Sequence, residues 1–189
     1  MELKNKKAIV TGGASGFGFG IVKNFIENGA KVIIADQNID LAKEKTKMFG
    51  KKCFCIKVDV SNNSQIQELK DECIKVFGSI DIIVNNAGIT HLPNELESIT
   101  EEDFDRVLKV NTKSVFLMSK TFVPLMKKHN YGVILNIAST AGISPRPRLS
   151  WYNASKGWMI TATKGMAVEL APYGIRVNAI NPVAGETPL

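Results

Sequence analysis

A chain of 189 residues with 44% hydrophobic and 22% charged side chains, 15 Gly and 7 Pro has the size and composition of one globular domain, and collagen-like, disordered and disulfide-scaffold classes are excluded. The net charge of +6 sits in residues 1–57, which hold eleven Lys against five acidic residues, while residues 58–189 balance at thirteen of each sign. With no long run of like charge, this excess reads as a solvated helix face with mild attraction for an anionic cofactor, and a nucleic-acid partner is not expected.

The opening residues Met1–Lys7 are polar and lead straight into Ala8-Ile9-Val10, so the apolar segment and cleavage site of a secretory leader are missing and a cytoplasmic location is expected. Lys7–Val10 reads as a first strand and Gly16–Asn28 as a helix, followed by a strand at Lys31–Ala35 and a helix at Ile39–Phe49. Cys53–Val58 reads as the third strand, Ser61–Phe77 as the third helix and Ile80–Val84 as the fourth strand. Thr100–Lys128 is helical in one or two pieces, with Pro124 bending it or marking its last turns. Gly132–Ile137, a helix at Tyr152–Ala171 and a strand at Ile175–Ile180 complete the series. Gly29 and Gly50 are placed to end helices, Ser61 to cap one, and Thr100 with Asp103 resembles a capping arrangement.

The strands are apolar nearly end to end, as strands covered on both faces are, yet none approaches the ~18 residues of a membrane span. No membrane partner is expected. Cys53, Cys55 and Cys73 are odd in number, form no C-x-x-C pair and have no neighbouring His, so they read as reduced structural thiols without a metal site. Alternating strands and helices with right-handed crossovers predict a doubly wound parallel sheet of the α/β class, helices on both sides, with ligands at the carboxyl ends of the strands.

Those strand ends carry polar chemistry. The first is followed by Thr11-Gly12-Gly13-Ala14-Ser15-Gly16-Phe17-Gly18, which opens a helix. Glycines let the backbone approach a pyrophosphate, and a helix N-terminus favours its charge. The second strand ends at Asp36, placed to accept hydrogen bonds from an adenosine ribose and to repel a 2′-phosphate, which favours NAD over NADP; a helix-capping role is the alternative. Asp59-Val60, Asn85-Asn86-Ala87-Gly88 and Ser139 follow the third, fourth and fifth strands, with Asn85 expected to bond backbone between strands. Tyr152 and Lys156, four residues apart on a helix, share a face, and a cation beside a phenol stabilises the phenolate that a proton relay needs. His91 and His129 read as surface or loop residues, and Arg146 and Arg148 as solvated loop charges, with contact to an anionic substrate as the alternative.

Together with Asn111 and the run Arg176-Val177-Asn178-Ala179-Ile180-Asn181-Pro182, these motifs resemble the short-chain dehydrogenase/reductase family over essentially the whole chain. The resemblance implies a Rossmann-like three-layer fold and hydride transfer between a nicotinamide cofactor and a secondary alcohol or ketone. It implies Tyr152 as general acid/base, Ser139 as hydrogen-bond donor to the same substrate oxygen, Lys156 on the nicotinamide ribose and Asn111 holding a water of the relay. It places the cofactor on Gly12, Ser15, Gly16, Phe17, Gly18, Asp36, Asp59, Val60, Asn86, Ala87, Gly88, Tyr152 and Lys156, with Val183 and Thr187 near the carboxamide.

Family members usually continue past the sixth strand into a substrate-covering segment, a helix and a seventh strand, so a fold lacking that lid and strand is expected over residues 1–189. The similarity is to bacterial members that reduce 3-oxoacyl thioesters or oxidise glucose, other sugars and simple alcohols, and it does not choose among these. An NADPH-dependent 3-oxoacyl-thioester reductase is one alternative and a non-catalytic NAD-sensing module another. The family also implies a homotetramer or homodimer.

Overall fold

The computed structural model describes residues 3–183 and 185. Its strands are β1 (Lys7–Thr11), β2 (Lys31–Asp36), β3 (Cys53–Lys57), β4 (Ile82–Asn85), β5 (Gly132–Ile137) and β6 (Ile175–Ile180). All pair in parallel, in the order β3-β2-β1-β4-β5-β6. The order reverses between β1 and β4, and this switch point opens a crevice at their carboxyl ends.

The alternation of each strand sorts its side chains onto two faces. Ala8, Val10, Val32, Ile34, Ile82 and Val84 pack with Val22 and Ile26 of helix α1 (Gly16–Glu27) and Ala42 of α2 (Ile39–Lys47). Ile9, Ile33, Ile83 and Ile134 pack instead against α3 (Asn63–Phe77) through Ile66, Leu69 and Cys73, and against α5 (Ser114–His129) through Met118, Phe122 and Met126. Residues buried on both sides need an apolar run, which is why the strands read so clearly. Helix α6 (Ser150–Leu170) joins the second layer, with Met159 against Val115 and Leu170 in the same core as Phe122. No helix among the described residues is long and apolar enough to cross a membrane.

The strand and helix positions agree with expectation to within a few residues, and the local differences have physical causes. The third helix is capped by Asn62, whose Oδ1 accepts from the Ser64 and Gln65 amides; Ser61 donates its hydroxyl to Asp59 Oδ1 at 2.8 Å and so is unavailable as a cap. Gly50, with φ +55°, opens a short 3₁₀ turn, while α2 has already stopped at Lys47. Thr100 caps α4 (Glu101–Leu108) by accepting from the Asp103 amide. The helical stretch to His129 is not continuous α-helix: a π turn over Lys109–Lys113 separates α4 from α5, and α5 runs through Pro124 to His129.

Asn85 bonds a side chain rather than the backbone expected of it. Its Nδ2 donates to Asn136 Oδ1 on β5 at 2.8 Å, Asn136 Nδ2 donates to Thr163 Oγ1 at 2.8 Å, and that hydroxyl donates to Met159 O at 2.7 Å. A buried polar chain thus ties β4 to β5 and to α6, each member partnered as burial requires.

Candidate active site

The glycine loop is built around Thr11. Its hydroxyl donates to Val84 O at 3.2 Å and accepts from the Asn86 and Ala87 amides, while Asn86 Nδ2 donates to Thr11 O and Gly12 O. The loop after β1 and the loop after β4 are therefore one hydrogen-bonded piece. Gly18, beneath this loop, has no room for a side chain: a Cβ there would lie 2.2 Å from Gly12 O. The loop consequently folds down onto α1, whose first turn holds no acidic residue and whose leading Ser15 makes no side-chain cap. The N-terminal amides of α1 and their positive end of the helix dipole are left for an anion.

Asp36 braces this loop from β2. Its Oδ2 accepts from the Ala14 amide at 3.0 Å and its Oδ1 from the Asn38 amide at 2.9 Å. The side-chain cap of α2 comes from Asn38, whose Oδ1 accepts from the Leu41 amide, so capping does not account for Asp36. Asp59 is fixed in the same manner, accepting from the Ser61 amide and hydroxyl through Oδ1 while its own amide donates to Gln65 Oε1.

At the other end of the crevice stand Ser139, Tyr152 and Lys156. Ser139 is buried and its Oγ accepts from the Ala141 amide at 3.1 Å. Lys156 is 4% exposed, donates to Ile137 O at 2.9 Å, and has its Nζ 5.8 Å from the centroid of the Tyr152 ring. Burial pushes the Lys156 ammonium down from 10.5 to about 8, because desolvation penalises the charged form. The turn after Ser139 is pressed onto α6 backbone to backbone: a Cβ at Gly142 would lie 2.7 Å from Gly157 N and from Lys156 C.

Asn111 occupies the π turn and is completely buried. Its Oδ1 accepts from the Ile89 amide, and its Nδ2 donates to Ile89 O and Ser155 Oγ, all at 2.9 Å. Ser155 Oγ donates in turn to Tyr152 O. Gly88 lies against both Lys156 Nζ and Asn111 Oδ1. Asn111 thus bridges the loop after β4 to the helix that carries Tyr152 and Lys156.

One cleft of about 1400 Å³ is lined by Gly12, Ser15, Gly16, Phe17, Asp36, Asp59, Val60, Asn86, Ala87, Gly88, Ser139, Tyr152, Lys156 and Val183. Gly18 and Asn111 stand behind its wall, and Thr187 falls outside the described residues. Ile89, Thr90, Leu149 and Pro182 also line the cleft. Pro182 closes the run that begins at Arg176, whereas Ile89, Thr90 and Leu149, uncharged and irregularly spaced, gave no signal in the sequence.

His91 is a correction to the surface reading. It lies in the loop after β4 but is completely buried, with Nδ1 2.8 Å from Leu92 O and Nε2 without a protein partner among the described residues. His129 is exposed at the end of α5. Burial pushes the Cys53 thiol up to about 12 and raises Cys73 further, which suits inert core thiols. No cluster of metal-ligating side chains exists among the described residues.

Residues 6–189 match the family model described as short chain dehydrogenase. The chain is 42% identical over 197 residues to 4-formylbenzenesulfonate dehydrogenase TsaC1/TsaC2 of Comamonas testosteroni, covering 100% of this chain and 76% of the relative. It is 40% identical over 193 residues to the 3-oxoacyl-[acyl-carrier-protein] reductase FabG of Thermotoga maritima, covering 100% of this chain and 78% of that protein. Among solved structures, the 3-ketoacyl-(acyl-carrier-protein) reductase of Brucella melitensis complexed with NADH superposes with a TM-score of 0.98 at 44% identity, covering 100% of this chain and 79% of that one. Sequence and fold agree over the full length of the crevice-bearing sheet, and the chain belongs to the short-chain dehydrogenase family.

Proposed function

We propose that the protein moves a hydride between a nicotinamide cofactor and a secondary alcohol or ketone, with Tyr152 as the proton-transferring group. The observation that carries this reading is the convergence of Ser139, Tyr152 and Lys156 on the wall of the cleft that the glycine loop opens. The fit to a dinucleotide rests on that loop, where Gly18 admits no side chain, Ser15, Gly16 and Phe17 line the cleft, and the first turn of α1 holds no acidic residue. When bound, the nicotinamide supplies hydride exchange at its ring carbon.

The chain's own residues then do the rest. Tyr152 donates its phenolic proton to the carbonyl oxygen in reduction and recovers it in oxidation. Ser139 donates a hydrogen bond to the same oxygen, whose Oγ already accepts from Ala141, so the hydroxyl proton is free to turn toward substrate. Lys156, held by Ile137 O, presents its ammonium beside the Tyr152 ring and to the ribose of the cofactor. Asn111 acts as a positioning residue, because its side-chain contacts join Ile89 to Ser155; the water of the proton relay is assigned to the turn that these bonds fix.

The adenosine end is assigned to Asp36, Asp59 and Val60, with the backbone of Asn86 to Gly88 alongside, and the carboxamide end to Val183 and Thr187. Asp36 is locked by two amides with its charge at the cleft, which favours a ribose hydroxyl and opposes a 2′-phosphate, so NAD is preferred to NADP. A 3-oxoacyl thioester is the second reading for the substrate, supported by the likeness to two reductases of that class. The 189 residues are taken as one domain, acting in the cytoplasm as a homotetramer or homodimer without nucleic-acid or membrane partners.

Titration with NADH and NADPH, followed by nicotinamide fluorescence, tests the cofactor assignment; NADH is expected to bind at least about tenfold more tightly, corresponding to 1.4 kcal/mol. Tyr152→Phe is expected to retain NADH binding and lower turnover of secondary alcohols by at least about a hundredfold. Equal turnover in that variant would refute the role of Tyr152.

A further inference from the structure

Four cations line the cleft: Arg106, Lys109, Arg146 and Lys156. Two of them are neutralised locally, Arg106 by Asp103 at 2.8 Å and Lys109 by Asp105 at 3.4 Å. Lys156 is buried at the reacting end and committed to Ile137 O. Arg146 alone is exposed in the cleft without a carboxylate among the described residues, its Nη2 donating to the neutral carbonyl of Val183 at 2.8 Å. The contrast with Arg148, two residues on, is informative. That guanidinium forms an ion pair with Glu95, and its carbonyl accepts from the Asn94 amide, so it staples two loops together.

The place of Arg146 is also fixed relative to the chemistry. Its carbonyl accepts from Asn153 Nδ2 at 2.7 Å, and Asn153 is a buried residue adjacent to Tyr152 on α6. The guanidinium itself is placed by Val183 O, one residue on from Pro182, whose carbonyl accepts from the Thr140 amide beside Ser139, so it stands at the Ser139 end of the cleft. A guanidinium offers five donors in a planar fork, and a single carbonyl occupies only one of them. A carboxylate or similar oxyanion is the partner that this fork fits, and it would displace or share the Val183 contact.

We propose that Arg146 is a specificity residue that selects substrates carrying an anionic oxygen group on the part of the molecule remote from the reacting carbon. This rests on the oxidoreductase reading above and adds the charge of the substrate to it. The cation that β6's outgoing segment holds with a backbone carbonyl is thereby a preformed receptor, oriented before substrate arrives.

The test uses charge-matched pairs, acetoacetate against methyl acetoacetate and para-acetylbenzoate against its methyl ester, with NADH as reductant. The native chain is expected to show the higher kcat/KM on the anionic member of each pair. Arg146→Gln is expected to lower kcat/KM on the anions about ten- to hundredfold, mainly through KM, and to leave the esters within about twofold. Arg146→Lys should retain part of the preference, and Arg148→Gln all of it, since Arg148 is already paired. Equal use of acid and ester by the native chain, or an equal loss on both in Arg146→Gln, overturns the role of Arg146 while leaving the reaction intact. A native chain that binds NADH and reduces no member of either pair overturns the reaction reading, and this inference falls with it.

Discussion

Lys156 works against folding in order to serve the site. Its ammonium titrates near 8 in the folded protein and at its ordinary 10.5 when solvated, so between those values the unfolded chain holds a proton that the folded chain has released. Stability therefore rises with pH across that window, by up to about 3 kcal/mol in total. Lys156→Met is expected to abolish that slope and to be more stable than the native chain at pH 7, as read by urea unfolding of both proteins at a series of pH values. Parallel pH curves for the two would refute it. The pair Tyr152 and Lys156 was legible in the sequence because helical spacing alone puts them on one face. His91 and Arg146 were not, since burial of a loop histidine and the presence or absence of a carboxylate beside a loop arginine depend on chain segments remote in sequence.

At the scale of elements, the strands were legible because a sheet covered on both sides demands continuous apolar runs, and the glycine loop because strand and helix flank it. The π turn at Lys109–Lys113 left no such mark. Nothing in its residue types marks a widened turn, and it coincides with the tertiary bonds that Asn111 makes to Ile89 and Ser155. Asn111→Ala leaves the partly buried Ile89 amide and carbonyl without their side-chain partner and Ser155 Oγ with only its bond to Tyr152 O, and is expected to destabilise the fold by at least about 2 kcal/mol. The same change should lower turnover more than NADH affinity, measurable by urea unfolding, steady-state rates and fluorescence titration on one preparation. Unchanged stability would refute the bridging role of Asn111. The cap of the third helix shows the same limit on a smaller scale: Ser61 and Asn62 are both competent caps, and the carboxylate of Asp59 decides between them by taking the serine.

For the molecule as a whole, the sheet separates two apolar layers, and the layer of α3, α5 and α6 holds most of the largest fully buried side chains. Phe122 is completely buried in it, and Phe122→Ala is expected to lower stability by about 3–5 kcal/mol in urea unfolding. A loss below about 1 kcal/mol would mean that the layer can collapse around the gap. The doubly wound parallel sheet was legible from the alternation of elements, whereas its strand order, which fixes where the crevice opens, was not, because it depends on which strands pair across the whole chain. The contact of Gly142 with the main chain of α6 bears on how that crevice can move. Ser139 and the Tyr152–Lys156 face ride on the two sides of a backbone-to-backbone seam with no side chains between them to repack. Their mutual spacing is inherited from the main chain, so Ser139 and the Tyr152–Lys156 face are held as a single rigid piece.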